Sequence, residues 1–115
     1  MMELRRGDII IVDLEPTKGS EQGKIRPGLV VQNDAGNRNA ATTIIAPLTT
    51  KGEAGYPFTV ALEAGEGNID RDSVILLNQL RTVSVPHRVR NRVGSLDEAR
   101  MQEVDRAIKV SLALD

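Results

Sequence analysis

The sequence predicts a mostly β protein, a small antiparallel sheet or barrel closed by a C-terminal α-helix. Two observations lead to this class. Short apolar runs rich in β-branched residues alternate with turn-forming segments over most of the chain. Beyond residue 94 the apolar residues recur with the period of a helix instead of that of a strand. A chain of 115 residues supports one ordinary core, so we expect residues 1–115 to form a single domain.

The predicted strands follow one another along the chain. Residues 9–12 are apolar and β-branched throughout, which is typical of a strand buried on both faces. Residues 28–31 form the second predicted strand, and a cluster of turn formers at 32–37 ends it. The remaining predicted strands are 42–48, 58–62 and 73–77, with weaker candidates at 80–85 and 88–93.

The C-terminal helix shows both a start signal and an apolar stripe. Ser95 and Glu98 have the spacing of a capping box, in which the serine caps an early N–H and the glutamate reaches back. Four apolar residues then follow at helical spacing and define the face that packs on the sheet. They are Met101, Val104, Ile108 and Leu112.

Composition excludes several classes of site. Without cysteine the chain has neither disulfides nor thiolate metal sites, and one histidine, His87, cannot build a histidine zinc site by itself. The polar surroundings of His87 favour an ordinary surface residue, so we expect no metal and no cofactor. No apolar run approaches the length of a membrane span, and residues 1–5 lack the apolar centre of a signal peptide. These features predict a soluble, cytoplasmic protein with no membrane partner.

Charge is balanced over the whole chain but not locally. The net charge of −1 gives no sign of a nucleic-acid partner, yet residues 17–51 hold five basic residues, ending with Lys51, against two acidic ones. Arg88, Arg90 and Arg92 recur with period two, which would place them on one face of a strand. Such a row is either a solvated face or a surface for phosphates.

A long polar loop at 15–27 is the most informative segment. It contains two glycines and two prolines, and loops of this length in a compact domain are usually functional or disordered. Pro27 biases Arg26 toward an extended backbone, which can hold its guanidinium toward a cleft. Thr49 and Thr50 end the third strand with two hydroxyls. Each feature also has a plain structural interpretation, since Arg26 could pair with a carboxylate and the threonines could cap a turn.

Four segments of the chain resemble the MazF/PemK family of mRNA-interferase toxins. They are RGDIIIVDL at 6–14, the loop from Pro16 through GSEQG to Arg26-Pro27, VVQND at 30–34 and RDSVILLNQLRT at 71–82. The Gly-Ser-Glu-Gln loop joined to Arg-Pro is the most specific of these signals. The likeness runs nearly end to end and includes the final helix.

The resemblance implies an SH3-like (CcdB/MazF-type) antiparallel barrel with a C-terminal helix, assembled as a homodimer. It implies metal-independent cleavage of single-stranded mRNA at a short sequence, leaving a 2′,3′-cyclic phosphate and a 5′-hydroxyl. It also implies control by a MazE-like antitoxin with an acidic, disordered tail, which forms a DNA-binding complex with the toxin. The family's catalytic arginine and threonine correspond to Arg26 and Thr49, and its loop glutamate corresponds to Glu21.

The physical chemistry of this reaction suits those residues. When the 2′-hydroxyl of the RNA is the nucleophile, the protein must orient the sugar, hold the phosphate and neutralise developing charge. Arg26 offers a planar fork of donors and Thr49 a hydroxyl. Because arginine stays protonated, we assign Arg26 to electrostatic stabilisation and not to acid catalysis, and Glu21 is the candidate base.

Further residues around the loop and the 71–82 segment are expected to bind RNA. Family members often carry an aromatic residue in the first strand, where this chain has Ile10 and Ile11. Only Tyr56 and Phe58 are aromatic, so part of the base stacking is assigned to arginine side chains. The expected RNA-binding residues are Ser20, Gln22, Lys24, Arg38, Thr50, Gln79 and Arg81.

Two other classes of function compete with cleavage. One is a binding module, either a CcdB-like poison of DNA gyrase or an RNA binder that does not cleave. The other is a purely structural barrel. The Arg-Pro loop together with Thr49 favours cleavage, because the gyrase poisons lack that pairing, and a structural barrel would have no use for the charged loop.

Overall fold

A computed structural model describes residues 2–50 and 54–114, and these residues form one antiparallel sheet and three α-helices. The strands are β1 (Asp8–Asp13), β2 (Ile25–Val30), β3 (Thr42–Thr49), β4 (Thr59–Leu62), β5 (Ser73–Leu76), β6 (Arg81–Ser84) and β7 (Val89–Ser95). The helices are α1 (Asp34–Asn39), α2 (Val85–Arg88) and α3 (Glu98–Ser111), with a 3₁₀ turn at Glu66–Asn68. None of the helices in these two ranges has the length and apolar character needed to cross a lipid bilayer.

The mostly β class with a C-terminal helix is confirmed. Hydrogen bonds connect the strands in the order β4-β5-β3-β2-β1-β7, and β6 joins beside β3. Among the described residues the two end strands, β4 and β7, do not pair, so hydrogen bonds leave the sheet open between them. The 3₁₀ turn covers part of β7 at this opening. Its approach depends on Gly94, because a side chain there would meet the carbonyl of Gly67.

The core explains the apolar run of the first strand. Successive side chains of β1 point to opposite faces of the sheet. Ile9 packs in a cluster with Leu29, Ile75 and Val104, which includes the buried side of α3. The next residue, Ile10, packs in a second cluster on the other face. Both isoleucines are fully buried, which confirms the prediction that this strand has two apolar faces.

The predicted cap of the C-terminal helix is wrong. Ser95 is the last residue of β7 and pairs with Asp8, so its backbone belongs to the sheet. Asp97 is the N-cap, and its carboxylate accepts a hydrogen bond from the N–H of Arg100 at 2.8 Å. The helix therefore begins two residues further along than predicted, with a simple aspartate cap in place of the capping box, since aspartate caps a helix as well as serine does.

The apolar stripe of this helix is partly confirmed. Val104 is buried, and Met101 and Ile108 pack against the core cluster that contains it. The prediction that Leu112 belongs to the core is wrong, because α3 ends at Ser111 and Leu112 is 53% exposed. Helical spacing alone cannot locate the end of a helix, and this helix ends just before the last predicted position.

Two other local predictions change. The turn formers at 32–37 begin α1, where Asn33 caps the helix by accepting from the N–H of Gly36. Arg88 ends α2, so only Arg90 and Arg92 of the predicted row lie on β7. The register of β7 against β1 shifts twice, and these irregularities disrupt a period-two row.

Candidate active site

Arg26 is held at the start of β2 with its guanidinium directed at the adjoining backbone. Its Nε donates to the carbonyl of Gly23 at 2.6 Å and its Nη1 to the carbonyl of Leu48 at 3.2 Å. Both partners are carbonyls, so the carboxylate pairing considered above is not observed. Within the described residues Nη2 has no protein acceptor, so this part of the fork can serve an incoming oxyanion.

A hydrogen bond between strands brings Arg26 close to Thr49. The pairing of β2 with β3 ends at Gly28 and Pro47, and beyond it Nη1 of Arg26 reaches the carbonyl of Leu48, the residue before Thr49. Thr49 also pairs with Val74 of β5 and is only 8% exposed. The threonine is therefore positioned by its pairing with β5, and it is not the residue of an exposed turn.

The two residues line one cavity of about 300 Å³, here named the arginine cavity. Lys24 and Thr50 line it as well, which brings four of the predicted site residues together. Arg71 and Asp70 complete the charged part of the lining. The sequence prediction missed Arg71 as a site residue, although it opens the 71–82 segment that leads into β5, the strand beside Thr49.

The loop between β1 and β2, residues 14–24, is anchored at its base by two arginines. Arg81 donates to the carbonyl of Leu14 at 2.6 Å. Arg88 donates to the carbonyls of Asp13 at 3.0 Å and Glu15 at 2.6 Å. Three consecutive carbonyls are thereby tied to β6 and α2, which lie far away in sequence.

Asp13 adds a charged contact at the same place. The backbone N–H of Glu15 donates to its carboxylate at 3.0 Å, and Arg90 approaches it at 3.3 Å. These hydrogen bonds, with Arg88 nearby, lower the pKa of Asp13 below its usual value. Arg90 and Arg92 are each paired with a carboxylate of β1, Asp13 and Asp8 respectively. Both arginines thus have a structural role at the edge of the sheet.

The tip of the loop is fixed by Gln79. Its carboxamide accepts from the N–H of Gln22 at 2.8 Å and donates to the carbonyl of Ser20 at 3.3 Å. Glu21 lies between these two residues, and its own carboxylate accepts from the N–H of Lys18 at 2.8 Å.

Glu21 lines a second cavity of about 420 Å³, here named the loop cavity. Gln22, Gln79 and Arg81 lie around it, over an apolar floor that includes Leu14. The two cavities adjoin, because the lining passes from one to the other between Pro47 and Thr49 on β3 and between Gln22 and Lys24 on the loop. The expected catalytic residues are thus divided, with Glu21 in one cavity and Arg26 and Thr49 in the next.

Arg38, His87, Tyr56 and Phe58 were also singled out in the sequence, and they line neither of the two cavities. Arg38 is on α1, which follows the far end of β2. His87 is exposed on α2, as expected for a surface histidine. Lys51 lies outside the described residues. Tyr56 and Phe58 stack on each other, with ring centroids 5.2 Å apart.

No three histidine, cysteine, aspartate or glutamate side chains gather into a metal-binding group within residues 2–50 and 54–114. The charged groups that face the arginine cavity are instead mainly cations: Lys24, Arg26 and Arg71, against Asp70. Such a cavity suits an anionic ligand such as a phosphodiester.

Comparison with known proteins identifies the family. Residues 5–112 match the model of the PemK-like, MazF-like toxins of type II toxin-antitoxin systems. The chain belongs to this family. It is 45% identical to the Endoribonuclease EndoA of Bacillus subtilis (strain 168) over 114 residues, 98% of this chain and 97% of that protein. It is 43% identical to the Endoribonuclease MazF of Staphylococcus saprophyticus over 112 residues, 96% of this chain and 92% of that protein.

Solved structures agree with this assignment at the level of the fold. MazF from Deinococcus radiodurans superposes with a TM-score of 0.82 at 24% identity, covering 99% of this chain and 100% of that one. A MazE-MazF structure from the same organism matches with a TM-score of 0.77 at 25% identity, over all of both chains. The predicted family and fold are therefore confirmed, and the predicted enzyme class agrees with the names of both curated relatives.

Proposed function

We propose that this chain is the toxin of a type II toxin-antitoxin pair and cleaves single-stranded mRNA at a specific sequence. The observation that carries the proposal is the arginine cavity, which Arg26 of β2 and Thr49 of β3 line together. An arginine fork next to a hydroxyl can hold a phosphodiester and stabilise the charge that develops as it reacts. The family membership and the endoribonuclease relatives support the same activity.

The proposed reaction uses a nucleophile of the RNA itself. The 2′-oxygen attacks the adjacent phosphorus, the bond from phosphorus to the 5′-oxygen breaks, and a 2′,3′-cyclic phosphate and a 5′-hydroxyl result. The 2′-hydroxyl proton leaves to a base, and the departing 5′-oxygen gains a proton. Arg26 and Thr49 donate to the phosphoryl oxygens throughout, so negative charge is stabilised without the need for a metal ion.

Glu21 is the proposed general base, which accepts the proton of the 2′-hydroxyl. Because it lines the loop cavity and Arg26 lines the arginine cavity, the reacting ribose would lie where the two cavities adjoin. The loop cavity would then receive an unpaired nucleobase over its apolar floor, with Gln22, Gln79 and Arg81 in its lining. Ser20, whose carbonyl accepts from Gln79, would bind RNA at the adjoining tip of the loop. A base read in this pocket gives the reaction its sequence specificity.

Cleavage is expected to persist in EDTA, because Arg26 supplies the charge stabilisation for which a metal would otherwise be used. Long RNA is incubated with the protein in EDTA, and the new ends are mapped by adaptor ligation. Fresh 5′ ends should ligate only after phosphorylation by a kinase, since they carry hydroxyls. Loss of activity in EDTA with recovery in magnesium would contradict the mechanism, and intact RNA together with inhibited gyrase would support the CcdB-like alternative.

We further propose a homodimer and a MazE-like antitoxin whose acidic tail competes with RNA for the arginine cavity and the 14–24 loop. Charge complementarity supports this, since the cations facing the arginine cavity would attract a phosphate backbone or a carboxylate-rich peptide alike. A disordered tail can also wrap such a surface while folding on it. Raising the RNA concentration should therefore relieve inhibition by the antitoxin.

Lys24→Gln is expected to weaken the binding of RNA and the binding of the antitoxin together. For single-stranded RNA, log affinity falls as log salt concentration rises, and the loss of one phosphate contact makes this slope less steep by about 0.7. Arg38→Gln is the matched control, because Arg38 lies beyond the other end of β2. It should not affect the binding of a short RNA that spans only the arginine cavity and the loop cavity. Binding is measured by fluorescence anisotropy at several salt concentrations. An equal loss of affinity for this short RNA in both variants would show that RNA does not bind at the proposed surface.

A further inference from the structure

The side chain of Gln79 makes two hydrogen bonds to the residues on either side of Glu21, the proposed general base. Its Oε1 accepts from the N–H of Gln22 at 2.8 Å, and its Nε2 donates to the carbonyl of Ser20 at 3.3 Å. The residue between these two partners is Glu21. One carboxamide thus fixes the backbone on both sides of this residue, although it is separated from Gln22 by 57 positions in sequence.

Gln79 is itself rigidly placed. It follows β5 in a turn closed by the bond from its N–H to the carbonyl of Leu76 at 3.1 Å. The turn rests on Leu77, which is fully buried in the core. Of the described side chains outside the loop, Gln79 is the one that hydrogen-bonds the tip, residues 18–22. The remaining bonds of the tip are local ones between Lys18 and Glu21.

We infer that Gln79 is a positioning residue for RNA cleavage, and that it acts by holding Glu21 in place instead of contacting a base. The inference rests on the proposed function. Both ends of the carboxamide are engaged by the loop backbone, so the loop sets the orientation of this side chain. One N–H and one lone pair remain, and the kinetics below distinguish positioning from base reading. Arg81 has the complementary task at the base of the loop, where it holds the carbonyl of Leu14.

The two roles of Gln79 predict different kinetics. A displacement of about 1 Å in a reacting group can cost about 10² in rate. Gln79→Ala should therefore lower kcat by about 10²-fold, change KM much less, and leave the cleavage sites the same. A residue that reads bases would, when replaced, relax the choice of sites and raise KM.

The loop can be tested without RNA. In Gln79→Ala the N–H of Gln22 should exchange with solvent faster, and trypsin should cut sooner after Lys18. Gln79→Glu keeps the acceptor for Gln22 but loses the donor to Ser20, so its kcat and its loop protection should lie between those of wild type and the alanine variant. Gln102→Ala is the control, since Gln102 is exposed on α3 and lines neither of the two cavities.

The outcomes separate this role from the proposed function. Normal kcat in Gln79→Ala, or unchanged loop protection with altered cleavage sites, would overturn the positioning role alone. RNA left intact by the unaltered protein would overturn the proposed function, and it would do so whatever the loop measurements show. If Gln79→Ala does not fold, Gln79→Glu supplies the same comparison, because it retains the stronger of the two bonds.

Discussion

Replacing Arg26 by alanine is expected to lower the rate of RNA cleavage by about 10²–10³, the usual effect of removing one donor that stabilises a transition state. The guanidinium is a planar donor that lines the arginine cavity together with Thr49, and among the described residues its Nη2 has no acceptor. Single-turnover cleavage of a labelled RNA oligonucleotide measures the effect. Arg26→Lys should recover little of the rate, because an ammonium keeps the charge but not the fork.

Controls for this prediction come from the threonine and from stability. Thr49 is buried and pairs with β5, so Thr49→Val preserves its shape and replaces the hydroxyl by a methyl group, whereas Thr49→Ser keeps the hydroxyl. We expect the valine variant to be nearly as slow as Arg26→Ala and the serine variant to retain activity. Normal cleavage by Arg26→Ala would mean that the site is misassigned. Loss of the folded state in that variant, seen by circular dichroism, would favour a structural role in holding Gly23 and Leu48.

A target sequence placed within a perfect RNA duplex should be cleaved at least about 10²-fold more slowly than the same sequence in a single strand. The major groove of A-form RNA is too narrow for side chains to read, so a base must leave the helix to enter the loop cavity. Extruding a paired base costs a few kcal/mol, and each 1.4 kcal/mol is a factor of ten. Initial rates on the two substrates give the ratio.

The matched substrate for this test is a duplex in which the target lies in an internal loop. Cleavage there should return to nearly the single-strand rate, because the bases are already unpaired while the flanking helices are unchanged. Equal cleavage rates on the perfect duplex and the single strand would contradict the proposed recognition of an unpaired nucleobase, since no nucleobase would then need to enter the loop cavity.

Much of the architecture could be predicted from the sequence because its causes are local. The β-branched run in β1 indicated burial on both faces, and the structure confirms this with Ile9 and Ile10 in opposite clusters. The Arg26-Pro27 pair indicated an extended strand entry, and Arg26 is indeed the second residue of β2. Period and turn chemistry act over a few residues, so they can be recognised without knowledge of the fold.

Boundaries were less predictable, because neighbouring elements compete for the same residues. Ser95 could have capped α3, but pairing with Asp8 keeps it in β7 and leaves the cap to Asp97. The row of arginines at 88–92 was broken for a similar reason, since α2 includes Arg88 and the register of β7 shifts against β1. Strand pairing overrode a valid local signal at Ser95 and in β7, whereas Arg88 was taken out of the row by the short helix α2.

By itself, the sequence correctly predicted the class of fold, the family, and the location of Arg26 near the start of one strand and of Thr49 at the end of another. Only the tertiary structure decided how the site is divided: Glu21 lines a different cavity from those two, and Arg38 lines neither. It also decided that Gln79 bonds to the residues on both sides of Glu21. The physical reason is that these contacts join segments far apart in the chain, and their geometry depends on strand order and register, which no local pattern encodes.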